Sequence, residues 1–227
     1  VQQWIAKNFV QLSERVFVNR PGGAEQLRQW ASGSSKVSFR PVFSNVGEPG
    51  ARTPFDGRSN YAVVFCGQQE KDTLYAHPDR LNSVLEAGNV DRLVDIGPHP
   101  ETTPDLGISH EVQGIQPVNR VSQWLSEARL GLAHRRLDLL TKSGVVAAYL
   151  AHGVPPVILP NGSAEHAPAL TQGKHFTTME RAVAESVDWE KMSREGYAWY
   201  QDHAHSTVTA QQVWERIQAC AVESEQP

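Results

Sequence analysis

The sequence predicts an α/β chain of the doubly wound, Rossmann-like type: a parallel sheet covered on both faces, with a short β-α-β piece before it and helices after it. Three observations carry this. From residue 61 onward, short, nearly continuous apolar runs alternate with stretches of helical apolar spacing, the pattern of strands buried on both faces. Clusters of Gly, Pro, Asn and Asp separate the runs. From residue 177 to 222 the pattern is that of successive helices rich in Glu, Gln and Ala, anchored by Trp189, Trp199 and Trp214.

Taken in order, residues 2–12 carry Trp4, Ile5, Phe9, Val10 and Leu12 at helical spacing. Residues 15–18 read as a strand. The turn at 19–23 opens a helix over 24–31, stopped by Gly33. Residues 36–43 alternate like a strand, with Pro41 marking an edge or an exit from a sheet. Residues 44–60 have no apolar period and form a loop or linker. Strands then follow at 61–66, 92–96, 111–115, 129–134 and 156–159, with helices at 78–87, 119–128 and 144–152.

Composition bounds the function. The 227 residues are 40% hydrophobic and 20% charged, enough for a sizeable folded core. A net charge of −4 gives no global positive field for nucleic acid or an anionic membrane. Two cysteines, Cys66 and Cys220, supply neither a disulfide framework nor zinc spacing, so a reducing, cytoplasmic setting is expected. No transmembrane run and no leader peptide is read, and a chain opening on Val1 suggests a cut from something longer. His152, His166, His175, His203 and His205 lack metal-ligand spacing, so no metal is expected. The absence of G-x-G-x-x-G, of the P-loop lysine motif and of G-x-S-x-G weakens dinucleotide, NTPase and hydrolase readings.

In an open parallel sheet, ligands sit where the loops leave the carboxyl ends of the strands. The loop after residue 134 is the most informative. Arg129, Arg135, Arg136 and Lys142 against Asp138 leave residues 129–142 with a net charge of +3 in an acidic chain. Ser143 is a natural N-cap, and Gly144 leaves the backbone open ahead of an almost wholly apolar helix. A helix start carries unpaired N–H groups and about half a positive charge, which suits phosphate. A plain buried helix cap with solvated arginines is the alternative. After the strand at 61–66, Gly67 permits close approach of the backbone and Lys71 offers a cation to a leaving phosphate, unless the loop is an ordinary polar turn. His99 stands in the proline-braced turn Gly97-Pro98-His99-Pro100, where a solvated side chain is the simpler reading.

These segments resemble a known family. Residues 129–134, Lys142-Ser143-Gly144 and 148–158, ending in a small-residue turn and a strand, resemble the nucleotide-sugar-binding segment of GT-B glycosyltransferases of the family 4 type. Residues 61–67 and 93–97 are similar to that domain's first strands, 113–117 to the loop beside the base, and 193–200 with 208–217 to its closing helices. Residues 24–46 resemble the end of the acceptor-binding N-terminal domain.

The resemblance implies a division into 1–46, a remnant of that domain, a linker at 47–60, a nucleotide-sugar-binding domain at 61–176, and closing helices at 177–227. It further implies a retaining transfer from a nucleoside diphosphate sugar to a hydroxyl acceptor, with no cofactor. Lys71 would be catalytic, and Gly67, Gln68, Gln116, Asp138, Lys142, Ser143, Gly144 and Val145 would bind the nucleotide sugar. The pattern departs from the family where the paired glutamates fall on Leu140 and Ala148, and where the first-loop Arg becomes Gln68. With most of the N-terminal domain missing, the chain alone is expected not to turn over, and the alternative is a non-catalytic module for protein association. Membrane association of a longer parent stays open.

Overall fold

The computed structural model describes residues 2–31, 35–163 and 169–224. Gly33 and His166 lie outside the described residues, as does the side chain of Cys220. The chain opens with α1 (Gln2–Leu12), β1 (Val16–Val18), α2 (Pro21–Trp30) and β2 (Val37–Phe39), and β1 pairs parallel with β2. Val10, Val16, Ala24 and Val37 form a small core of their own.

The main sheet is built from β3 (Tyr61–Phe65), β4 (Arg92–Ile96), β5 (Ser109–Gly114), β6 (Leu130–Arg135), β7 (Pro156–Pro160) and β8 (Thr177–Thr178). It is six-stranded, in the order β5-β4-β3-β6-β7-β8, and parallel throughout. Between and after these strands run α3 (Gln68–Tyr75), α4 (Pro78–Ala87), α5 (Val118–Glu127), α6 (Gly144–Ala151), α7 (Met179–Ala184), α8 (Trp189–His203) and α9 (Ser206–Ser224).

The apolar runs are continuous because both faces are covered. Along β3, Tyr61 and Val63 join a core with Val121 and Leu125 of α5, α6, and Tyr200 of α8. Ala62 and Val64 point the other way, among Leu74 of α3, Leu81 and Leu85 of α4, and Met179 of α7. The doubly wound reading of the sequence is therefore the observed fold. A buried Arg58 ties two helix ends on the first face, donating to the carbonyls of Ala128 at 2.7 Å and His152 at 2.6 Å. Burial lowers its guanidinium to about 10.

Four local readings need correction. Residues 68–75 form helix α3 rather than a polar turn, because Lys71, Leu74 and Tyr75, at helical spacing, bury one stripe under a polar surface. Only Val37–Phe39 of the strand expected at 36–43 pairs, as Pro41 leaves the sheet. Thr177 and Thr178 add a sixth strand beside Val157 and Ile158, where helix was expected. Helix α2 starts at Pro21, a residue suited to a first helical turn. Among the described residues no helix is long and apolar enough to cross a membrane.

Candidate functional site

The sheet grows from β3 through β4 to β5 on one side, then returns to continue through β6 and β7 to β8 on the other. The loops after β3 and β6 therefore part in opposite directions, and such a reversal leaves a crevice at the carboxyl edge. The loop after β3 is short, passing Cys66 and Gly67 into α3. The loop after β6 makes a 3-10 stretch, Leu137–Lys142, before Ser143 caps α6 by accepting from the Val146 amide at 3.3 Å.

A polar chain crosses this crevice. The Gly67 amide donates to Glu70 Oε2 at 3.1 Å, and the other oxygen of Glu70 pairs with Arg135 Nη1. Arg135 Nε in turn donates to Ser143 Oγ at 3.3 Å, and its Nη1 to the His134 carbonyl at 3.1 Å. Both partners stay partly open, with side-chain exposures of 23% for Arg135 and 27% for Glu70. Burial shifts the Arg135 guanidinium downward, yet an arginine so shifted still carries its charge at neutral pH. Neighbouring Cys66 is no nucleophile, since burial pushes its thiol up to about 12 against the pull of Lys71 and Arg135.

The structure sorts the residues singled out in the sequence. Gly67, Ser143, Gly144 and Val145 converge on the crevice, with Gln68 exposed at its rim and Lys142 exposed beside the start of α6. The Ser143 amide is committed to the Leu140 carbonyl at 3.1 Å, which corrects the expectation that it would be free for a ligand. Gly144 and Val145 are the first two residues of α6, in the turn where a helix offers its amides no internal acceptors. Asn45 from the loop after β2 stands beside Gly144, its Oδ1 at 3.6 Å from where a Cβ would lie.

Lys71, expected as the catalytic cation, is fully buried instead. Its ammonium pairs with Asp95 and donates to the Pro98 carbonyl at 2.6 Å, so it stands behind the crevice rather than in it. Tyr75 donates to the same carboxylate at 2.5 Å and His110 Nε2 lies 3.9 Å away. Burial alone would raise Asp95, but His110, Lys71 and Tyr75 outweigh it and hold the carboxyl below its ordinary range.

Asp138 is likewise committed. Both its oxygens accept from Arg136, at 3.0 and 2.9 Å, and that pairing holds its carboxyl low, so it does not supply a free carboxylate for sugar hydroxyls. Gln116 lies past β5 at the sheet edge, turned onto the Gln113 carbonyl at 2.5 Å. His99 is exposed after β4. Leu140 and Ala148 are core residues, exposed by only 1% and 0%.

Glu70 is the site residue that sequence reasoning missed. The signal was present, because a Glu three positions after an N-cap residue is placed to reach back to the cap amide. A cavity of about 390 Å³ lined by Asn60, Asn82, Asn89 and Asp91 opens at the opposite, amino-terminal edge of the sheet, away from the converging loops.

No protein-family model matches the chain, and no curated protein matches it. Solved structures do. The chain is similar to an alpha-glucosyltransferase in complex with UDP-glucose and DNA containing an abasic site, at 11% identity and TM-score 0.53, covering 93% of this chain and 67% of that one. It is similar to a mutant of S. aureus TarM in complex with Fondaparinux, alpha-GlcNAc-glycerol and UDP, at 8% identity and TM-score 0.53, covering 93% and 45%. The pneumococcal O-GlcNAc transferase GtfA in complex with UDP and GlcNAc matches at 9% identity and TM-score 0.55, covering 95% and 47%. The chain thus spans under half the length of two of these structures and about two thirds of the third. At such identities the likeness is one of fold, that of the Rossmann-like domain of GT-B glycosyltransferases.

Proposed function

We propose that this chain is the donor-binding part of a GT-B glycosyltransferase of the family 4 type, which moves a sugar from a nucleoside diphosphate sugar to a hydroxyl acceptor with retention of configuration. The observation that carries the reading is the crevice at the strand-order reversal, where Gly67, Arg135 and the first residues of α6, Gly144 and Val145, converge. Fold neighbours solved with UDP or UDP-glucose support the ligand class.

In this reading residues 61–176 hold the donor and the helices from 177 close the domain. The acceptor is bound by a further domain of a longer, cytoplasmic protein. Chemically the site works by charge. As the acceptor hydroxyl attacks the anomeric carbon, the bond to the diphosphate breaks, the hydroxyl proton passes to the departing diphosphate, and the guanidinium of Arg135 and the amides opening α6 stabilise the departing oxygens. No metal or cofactor is required in this scheme, because Arg135 and Lys142 supply the neutralising charge.

Calorimetry of this chain with UDP, GDP and ADP tests the proposal. Binding of one of them in the micromolar to millimolar range is expected, and no binding of any at millimolar concentration overturns it. A second reading, a non-catalytic GT-B-like module for protein association, is favoured by one set of facts. Leu140 and Ala148 fill the core where a glutamate pair would stand, and Lys71 is locked to Asp95. Transfer or hydrolysis of a nucleotide sugar by a protein containing this chain would dismiss that module.

A further inference from the structure

We propose that Arg135 is the cation that receives the donor's diphosphate, and that Glu70 is an internal anion holding its place until the diphosphate displaces it. The inference rests on the donor-binding reading and specifies which side chains govern it.

The geometry is that of a carboxylate standing in for a ligand. Glu70 reaches across the reversal point from the start of α3, takes the Gly67 amide with one oxygen and faces Arg135 with the other. Those are a donor from the β3 loop and a cation from the end of β6, the two groups that a bridging phosphate at this point of a doubly wound sheet would use. Arg135 is held for the exchange from its own side. Its Nε rests on Ser143 Oγ and its Nη1 on the His134 carbonyl, contacts that do not involve Glu70.

The other nearby cations are not equivalent. The Lys71 ammonium is buried on Asp95, and Arg136 is bidentate on Asp138. Lys142 is exposed and extends from the far end of the β6 loop. A diphosphate entering the crevice therefore meets a carboxylate on Arg135 before it meets the guanidinium. Binding has to exchange one anion for another, with Glu70 swinging toward solvent from a position already 27% exposed. The exchange costs affinity and favours a diphosphate, with its greater negative charge, over neutral sugars and monophosphates.

The test is calorimetric titration of UDP and UMP into this chain and into Glu70→Gln and Arg135→Gln variants, each checked for folding by its thermal unfolding. Glu70→Gln keeps an oxygen for the Gly67 amide while removing the charge, so it is expected to bind UDP about tenfold more tightly, the effect of relieving roughly one unscreened like-charge contact. Arg135→Gln is expected to weaken UDP about tenfold and to shrink the preference for UDP over UMP. Should Glu70→Gln fail to fold, Glu70→Asp, which keeps the charge but shortens its reach to Arg135, is expected to tighten UDP severalfold. Either charge effect falling within twofold of the parent chain overturns this proposal while leaving donor binding intact. Absence of UDP binding by the parent and all variants overturns both readings together.

Discussion

Lys71 shows how one residue changes meaning between sequence and structure. In sequence it is a loop cation next to a glycine. In the fold it is the buried counter-ion of Asp95, sealed with Tyr75 beneath the carboxyl ends of β3 and β4. Breaking such a pair from one side leaves a charge in a medium that does not solvate it. Asp95→Asn is therefore expected to destabilise the protein by about 3–5 kcal/mol, with Lys71 left as the uncompensated charge. Replacing both partners together by apolar residues is expected to cost less than Asp95→Asn alone. Urea unfolding of the three proteins checks this, and a single-variant loss below about 1 kcal/mol would mean that Lys71 finds another partner. Arg135 was counted among the cations of the loop after β6, and Glu70 stands one position before Lys71. Their pairing was hidden because it joins two loops distant in the chain.

Helix α6 was readable as an element, and the reason for its position was not. Its sequence is apolar on every side, which marks a buried helix. How closely it sits on the sheet is decided by Gly131, because a Cβ there would lie 2.7 Å from the ring of Tyr149. That ring delivers a hydroxyl to the place where β3 and β6 diverge. It donates toward the carbonyl of Leu132 at 2.9 Å and accepts from the Phe65 amide at 3.1 Å, so the parting strands keep their backbone groups satisfied. Gly131→Ala is expected to cost about 1–3 kcal/mol through overpacking, and more than an alanine placed on an exposed stretch of sheet. Thermal unfolding measures the loss, and an unchanged melting temperature would show that the ring moves freely. Helix α3 was the element that sequence hid. Its polar surface residues outnumber the buried stripe that packs it.

At the scale of the whole molecule, the loop after β2 and the start of α9 are joined by a carboxylate. Glu48 accepts from the Ser206 amide at 2.8 Å and also takes the hydroxyls of Ser206 and Tyr200, so a carboxylate from the loop after β2 caps the start of α9. Burial works to raise this carboxyl, and the bonds from Ser206 and Tyr200 hold it below its ordinary value of 4.5. Asp95 is lowered in the same sense. Burial also lowers His152, and it lowers His175 from 6.5 to about 4, while the Thr171 amide donates to His175 Nδ1 at 2.9 Å.

All four shifts act in one direction. A group whose folded pKa is depressed takes up protons more readily in the unfolded chain, so its stabilisation is present above its ordinary value and is lost on acidification. The histidines weaken the fold as pH falls from 6.5 toward 4, and the carboxylates add to the loss below their ordinary values. Melting temperature is therefore expected to be level between about pH 7 and pH 8 and to fall steadily below that, with His175→Gln flattening the upper part of the fall. A stability maximum below pH 5 would contradict these assignments.

By itself the sequence determined the doubly wound class, nearly every strand and helix of the main sheet, and the positive loop leading to Ser143 and Gly144, because period and turn chemistry are local and survive in a linear reading. Tertiary structure decided the strand order, hence which two loops meet, and with it which charges are spent. Lys71 went to Asp95, and Arg135 was set against Glu70 across the crevice. Charge pairing depends on distances across the sheet, and those come into being only when strands far apart in the chain lie side by side.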